Sequence, residues 1–151
     1  MGKMMMGMQG NRVLTKPFCE AHRAFEKVLW LNTSITKVGF LDPAWGGINA
    51  DRCIWGWLEF GTDLEAREII RFGAKEDVPI LANSPVDPDT QIAQYVSKQS
   101  RLLGIDPENI YYGSTGRGTT GAAFARVFGS RVPVPIAEGD RPSSKPVRHD
   151  L

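Results

Sequence analysis

Apolar residues recur along this chain with two different periods, and the switches between them mark its elements. In TKPFCEAHRAFEKVLWL, Phe18, Ala21, Phe25, Val28 and Leu29 share one helical face and Pro17 stands near the start, so an amphipathic helix is predicted. His22 lies off that stripe and reads as a solvated side chain. The run Val38 to Leu41, stopped by Asp42, Pro43 and a glycine pair, reads as a strand entering a turn. In DRCIWGWLEFG both alternating sets are apolar, Cys53, Trp55 and Trp57 against Ile54, Leu58 and Phe60, which predicts a strand covered on both faces. EAREIIRFG is a third, more polar strand, spaced from the others as antiparallel hairpins are.

A second helix is predicted over DPDTQIAQYVSKQSRLLG, with Asp87 as N-cap, Pro88 at the first helical position and Gly104 as C-cap. Its stripe reads Ile92, Tyr95, Val96, Gln99, Leu102 and Leu103, which predicts packing against a sheet. NIYY is a fourth strand and TTGAAFARVF a third helix; the prolines of RVPVPIA suit a fifth strand at an edge. The order β-β-β-α-β-α-β predicts an α/β fold, a mixed five-stranded sheet flanked by helices.

Composition narrows the picture without naming a partner. With 151 residues, 42% hydrophobic and 23% charged, the chain suits one domain with a real core. Eighteen basic and 17 acidic residues leave a net charge of +1, so contact with nucleic acid must come from a local patch. Cys19 and Cys53 are far apart with no CxxC pair, which suggests neither disulfide nor zinc site and suits a reducing, cytoplasmic setting. All five methionines fall in MGKMMMGM, too short and glycine-broken for a signal peptide or a membrane span. We therefore expect a disordered start over 1–10, a linker helix region over 11–35 and a folded domain over 36–151.

Three chemistries compete. GRGTTG, with Gly116, Gly118 and Gly121, is formally a dinucleotide fingerprint between a strand and a helix, and Glu138 follows about 20 residues on. It sits late, however, with one proline-rich strand after it. A second reading starts from Asp42 at the end of its strand, with Asp51 beyond the glycines. A carboxylate there is placed to hold Mg²⁺, and an acid at the same level of the neighbouring strand, about 4.8 Å away, would bracket two ions as phosphodiester hydrolysis requires. The plainer alternative is an Asp-Pro turn.

VGFLDPAWGGINADRCIWGWLEFG and LLGIDPENIYYGSTGRGTTGAAFARVFG together resemble the nuclease domain of the large terminase subunit of tailed bacteriophages and prophages, an RNase H-like fold. The resemblance runs from about Asn11 to the end, and NRVLTKPFCEAHRAF is similar to the segment joining the packaging ATPase to the nuclease. It implies Mg²⁺- or Mn²⁺-dependent cleavage of viral double-stranded DNA in the bacterial host cytoplasm, with the ATPase domain, small terminase subunit and portal as partners. Asp42 matches the family's first metal-binding acid, and Asp51 an acidic position after the glycine turn. The second family acid, commonly Asp before Ser/Ala-Thr-Gly-Arg-Gly, is replaced by Gly113. The third lies on a later helix that Leu151 precedes. The resemblance thus implies a truncated domain lacking its C-terminal helix, with weak metal binding and impaired cutting.

In STGRG, Ser114, Thr115 and the glycine amides suit a phosphate at a helix start, and Arg117 suits a DNA phosphate. The plain alternative is a strand-to-helix turn with a solvated arginine. Arg126, Arg131, Arg141, Lys145 and Arg148 make the last quarter basic, a solvated face or a DNA-backbone track. The third reading is a non-catalytic prophage remnant or a module that binds DNA or a partner, with Trp30, Trp45, Trp55 and Trp57 as core or as contact surface.

Overall fold

The computed structural model describes residues 16–21, 28–31, 35–44, 52–114 and 119–137. Five strands, β1 (Thr36–Asp42), β2 (Ile54–Thr62), β3 (Glu68–Asp77), β4 (Ile110–Gly113) and β5 (Val134–Ile136), form one mixed sheet in the order β3-β2-β1-β4-β5. β1 pairs antiparallel with β2 and parallel with β4; β2 and β3 are antiparallel, β4 and β5 parallel. The proline-bearing β5 is an edge, as its missing donor requires.

Cross-strand partners share a face, so the registers sort the sheet into two sides. One side carries Leu41, Trp55, Ile110 and Tyr112, which form the buried core with Ile92, Ala93, Val96, Ala123 and Phe124 of the helices α2 (Pro88–Leu103) and α3 (Thr119–Phe128). The Tyr112 and Phe124 rings meet at 4.9 Å, which ties β4 to α3. At the other end of this side stands the row Lys37, Glu59, Arg71. Buried Glu59 accepts from Arg71 Nε at 2.6 Å, and both cations lie over the Trp57 ring, at 5.8 and 5.7 Å. The opposite side carries Val38, Phe40, Leu58 and Phe60 and, on β3, Ile70 and Phe72, which are 60% and 74% exposed.

The N-terminal helix is shorter than its periodicity predicts. α1 spans Lys16–Ala21, residues 22–27 lie outside the described part, and Val28 and Leu29 are not helical. Instead Leu31 N–H donates to the Thr62 carbonyl at 2.7 Å, Leu64 N–H donates to Leu29 at 3.0 Å, and Trp30 bridges to Asp63. Backbone groups at the β2–β3 turn recruit this stretch, and their hydrogen bonds outweigh its helical pattern.

In α2 the caps are as the sequence reads. The Asp87 side chain accepts from Thr90 N–H, Pro88 opens the helix, and Gly104 closes it at φ 67°, a left-handed conformation that glycine adopts freely. The predicted stripe needs a correction. Ile92 and Val96 are buried, but Leu102 is 71% exposed, while Asp89, Ala93, Ser97 and Ser100 are buried. α3 lies along the small-residue side of α2, where short side chains let the helices approach, and this turns the buried face away from Leu102.

Candidate functional site

The corner of interest is built by β1 and β4, because they are parallel neighbours. Leu41 pairs with Tyr112, and one residue further Asp42 and Gly113 close the two strands side by side. Asp42 also pairs with Ile54 of β2, which pairs with Asp77 of β3. Asp42 is exposed. Asp77 stands two strands away in an exposed ion pair with Arg52 at 2.9 Å.

Nothing in the backbone demands a glycine at 113. A Cβ there would meet only Pro43 Cδ, at 3.5 Å, an ordinary van der Waals contact, and the residue is not in a left-handed conformation. Gly39 differs, since a Cβ there would strike the Trp55 ring at 2.4 Å. A side chain at 113 would therefore fit, on the same face as Asp42.

Beneath this corner lies Cys53. Burial pushes its thiol pKa up, a hydrogen bond with the Ala44 backbone opposes that, and the nearby Asp42 charge adds to the rise. The thiol is therefore protonated near neutral pH and ill suited as a ligand or nucleophile. Among the described residues no group of three His, Cys, Asp or Glu side chains converges as a metal site. Asp42 is one carboxylate where bracketed divalent ions need several, so the described side chains alone do not fit such a site. Asp51 lies outside the described residues.

The glycine-hydroxyl stretch after β4 is described at its two ends. Thr115, Gly116, Arg117 and Gly118 lie outside the described residues, as do Glu138 and the basic residues Arg141, Lys145 and Arg148. Ser114 N–H is committed, donating to the Ile136 carbonyl at 2.9 Å, so its amide belongs to the β4–β5 pairing and not to a phosphate cradle. Gly121, the last glycine of GRGTTG, has a packing reason: a Cβ there would stand 3.0 Å from the Tyr112 hydroxyl. Arg126 is exposed and donates to Thr90 Oγ1 at 3.1 Å. Arg131 forms a two-pronged bond with Glu108, at 3.1 and 2.9 Å, which occupies a cation otherwise open to a polyanion.

Sequence reasoning missed Asp89. Its buried carboxylate accepts from Thr119 Oγ1 and Thr120 Oγ1, both at 2.8 Å, and so clamps the start of α3 to the start of α2. An internal anion thus already serves the first turn of α3, and a phosphate arriving there meets it. The available signal was spacing: Asp89 stands three and seven residues before Ile92 and Val96, on their face. We expect Asp89→Ala to lower unfolding free energy by about 2 kcal/mol in urea, because the buried Thr120 hydroxyl and the exposed Thr119 hydroxyl both lose a charged acceptor. A loss below about 0.5 kcal/mol would show the clamp to be idle.

The fold is of the α/β class, a mixed open sheet with helices packed on its core side. No protein-family model, curated protein or solved structure matches this chain. No helix of the described residues is long and apolar enough to cross a membrane.

Proposed function

We propose that this chain is an RNase H-like domain of the large-terminase nuclease type, which engages double-stranded DNA at the Asp42 corner and whose cutting is impaired by Gly113. The observation that carries this reading is the parallel pairing of β1 with β4, which sets Asp42 beside Gly113. The sheet order, with only β2 running against its neighbours, also supports it. A third support is that the backbone at 113 has room for a side chain yet carries none. A glycine that the fold does not require, at a position where the resemblance expects an acid, is the mark of a lost ligand.

On this reading Asp42, with Asp51 as a further acid, would hold a Mg²⁺ or Mn²⁺ ion only weakly, and the ion would supply charge neutralisation at the scissile phosphate. Thr115, Arg117 and Arg126, with the Ser114 hydroxyl, meet the DNA backbone, which positions the duplex without reading its sequence. The packaging ATPase, small subunit and portal belong to the same proposal as partners of a full-length protein.

The test is supercoiled-plasmid nicking with Mn²⁺, run beside a mobility shift on duplex DNA at low salt. We expect retention of the duplex that weakens as salt rises, with little nicking. Robust cutting that Asp42→Ala abolishes would overturn the impairment, and no retention at low salt would overturn the DNA reading. A second reading, a non-catalytic module that binds a protein, draws on the exposure of Ile70 and Phe72 on one sheet face. Absence of duplex retention at low salt, with the chain still folded, would favour it.

A further inference from the structure

A depression of about 430 Å³ opens between α2 and α3, lined by Gln94, Ser97, Lys98, Arg101, Leu102 and Val127. It stands apart from the Asp42 corner. The start of α2 lies beside the start of α3, at Asp89, and Arg101 is on the order of 18 Å further along the helix axis at 1.5 Å per residue.

Its chemistry is mixed in a specific way. Leu102 is 71% exposed, a large apolar side chain left in water, and Val127 of α3 lines the same depression. Lys98 and Arg101 stand on one face of α2, three residues apart, and neither side chain has an ion-pair or hydrogen-bond partner among the described residues. Arg131, by contrast, is held by Glu108 and Asp106. The groove thus has an apolar floor with two free cations along it.

We propose that this groove docks an amphipathic, acidic helix of another protein, whose apolar ridge covers Leu102 and Val127 while its carboxylates pair with Lys98 and Arg101. The apolar component selects a peptide over nucleic acid, because a phosphate backbone satisfies the cations and leaves Leu102 in water. Among the described residues no helix of a second copy supplies the occupant: α3 carries no acid, Asp89 of α2 is buried, and α1 has Glu20 alone. Residues 1–15 and 138–151 do not supply it either. Residues 1–15 contain Lys3 and Arg12 and no Asp or Glu, and residues 138–151 balance Glu138, Asp140 and Asp150 against Arg141, Lys145 and Arg148. The inference stands whether or not the Asp42 corner engages DNA.

The experiment is fluorescence anisotropy of the full chain with a labelled synthetic helix, Leu at i, i+3 and i+7 and Glu along both flanks of that stripe. The comparators are a scrambled peptide of the same composition, a helix with Lys in place of Glu, and a short DNA duplex. Saturable binding of the acidic helix alone is expected, weakened about tenfold or more by Lys98→Glu with Arg101→Glu, and weakened by Leu102→Ala at constant salt. All three side chains line an open groove, and circular dichroism checks that each variant folds. The proposal is overturned by absence of saturation below about 1 mM. It is equally overturned by equal binding of the scrambled or Lys-flanked peptide, by indifference to the charge reversal, or by displacement of the peptide by the duplex.

Discussion

Gly113→Asp is expected to bind Mn²⁺ about tenfold or more tightly than the natural chain in titration calorimetry, and to nick plasmid DNA measurably faster. The expectation rests on three features of the corner. The strands carrying positions 42 and 113 are parallel neighbours, about 4.8 Å apart, so carboxylates at both ends reach one ion. The new Cβ meets only Pro43 Cδ at 3.5 Å, so the substitution does not strain the fold. The two acids also repel each other when no ion is present, so the variant should melt lower than the natural chain in a chelator and recover when Mn²⁺ is added. Gly113→Asn provides the neutral comparison, with a similar side chain and little gain in affinity. Removing Asp42 from the Gly113→Asp background should erase the gain, since the two positions act on one ion. Calorimetry that shows no change, together with a melting point indifferent to Mn²⁺, would refute the placement of these two side chains around a common point.

Trp55→Ala should destabilise the domain by about 3 to 5 kcal/mol, a large part of what a domain of this size has to lose. The indole is fully buried, and its six-membered ring occupies the space in front of Gly39, so its loss opens a cavity between β1, β2 and the helices. Its Nε1 has no hydrogen-bond partner among the described residues, so the expected loss is argued from packing. Chemical denaturation followed by circular dichroism measures the effect. A change under about 1 kcal/mol would mean that the core is not organised around this residue. Because Trp55 stands next to Ile54, the partner of Asp42, the same variant should also loosen the strand ends that carry the candidate site.

Much of this arrangement is legible along the chain, and the gaps share a cause. The caps of α2 are local: Asp87, Pro88 and Gly104 act within a few residues of themselves, so their roles read directly from type and position. The edge position of β5 follows from the missing N–H of Pro135. The failures are at places where a distant segment intervenes. Val28 and Leu29 continue a helical pattern, yet the β2–β3 turn draws Leu29 and Leu31 into backbone pairing. Leu102 belongs to an apolar stripe by spacing, yet α3 packs on another side of α2 and leaves it in water. Asp89 looks like a first-turn surface acid, yet Thr119 and Thr120, some 30 residues away, make it a buried clamp.

Taken alone, the order of residues determined the identity and sequence of the elements, the helix caps and the two positions, Asp42 and Gly113, at which chemistry is in question. Periodicity and capping depend on neighbours a few residues apart, and these the chain itself supplies. Tertiary structure alone decided that β4 lies parallel beside β1, so that those two positions adjoin, and that Asp89 is committed to α3 while Lys98, Arg101 and Leu102 are left open. Pairing and burial depend on which surfaces meet, and that is settled only when the whole sheet and its helices pack together.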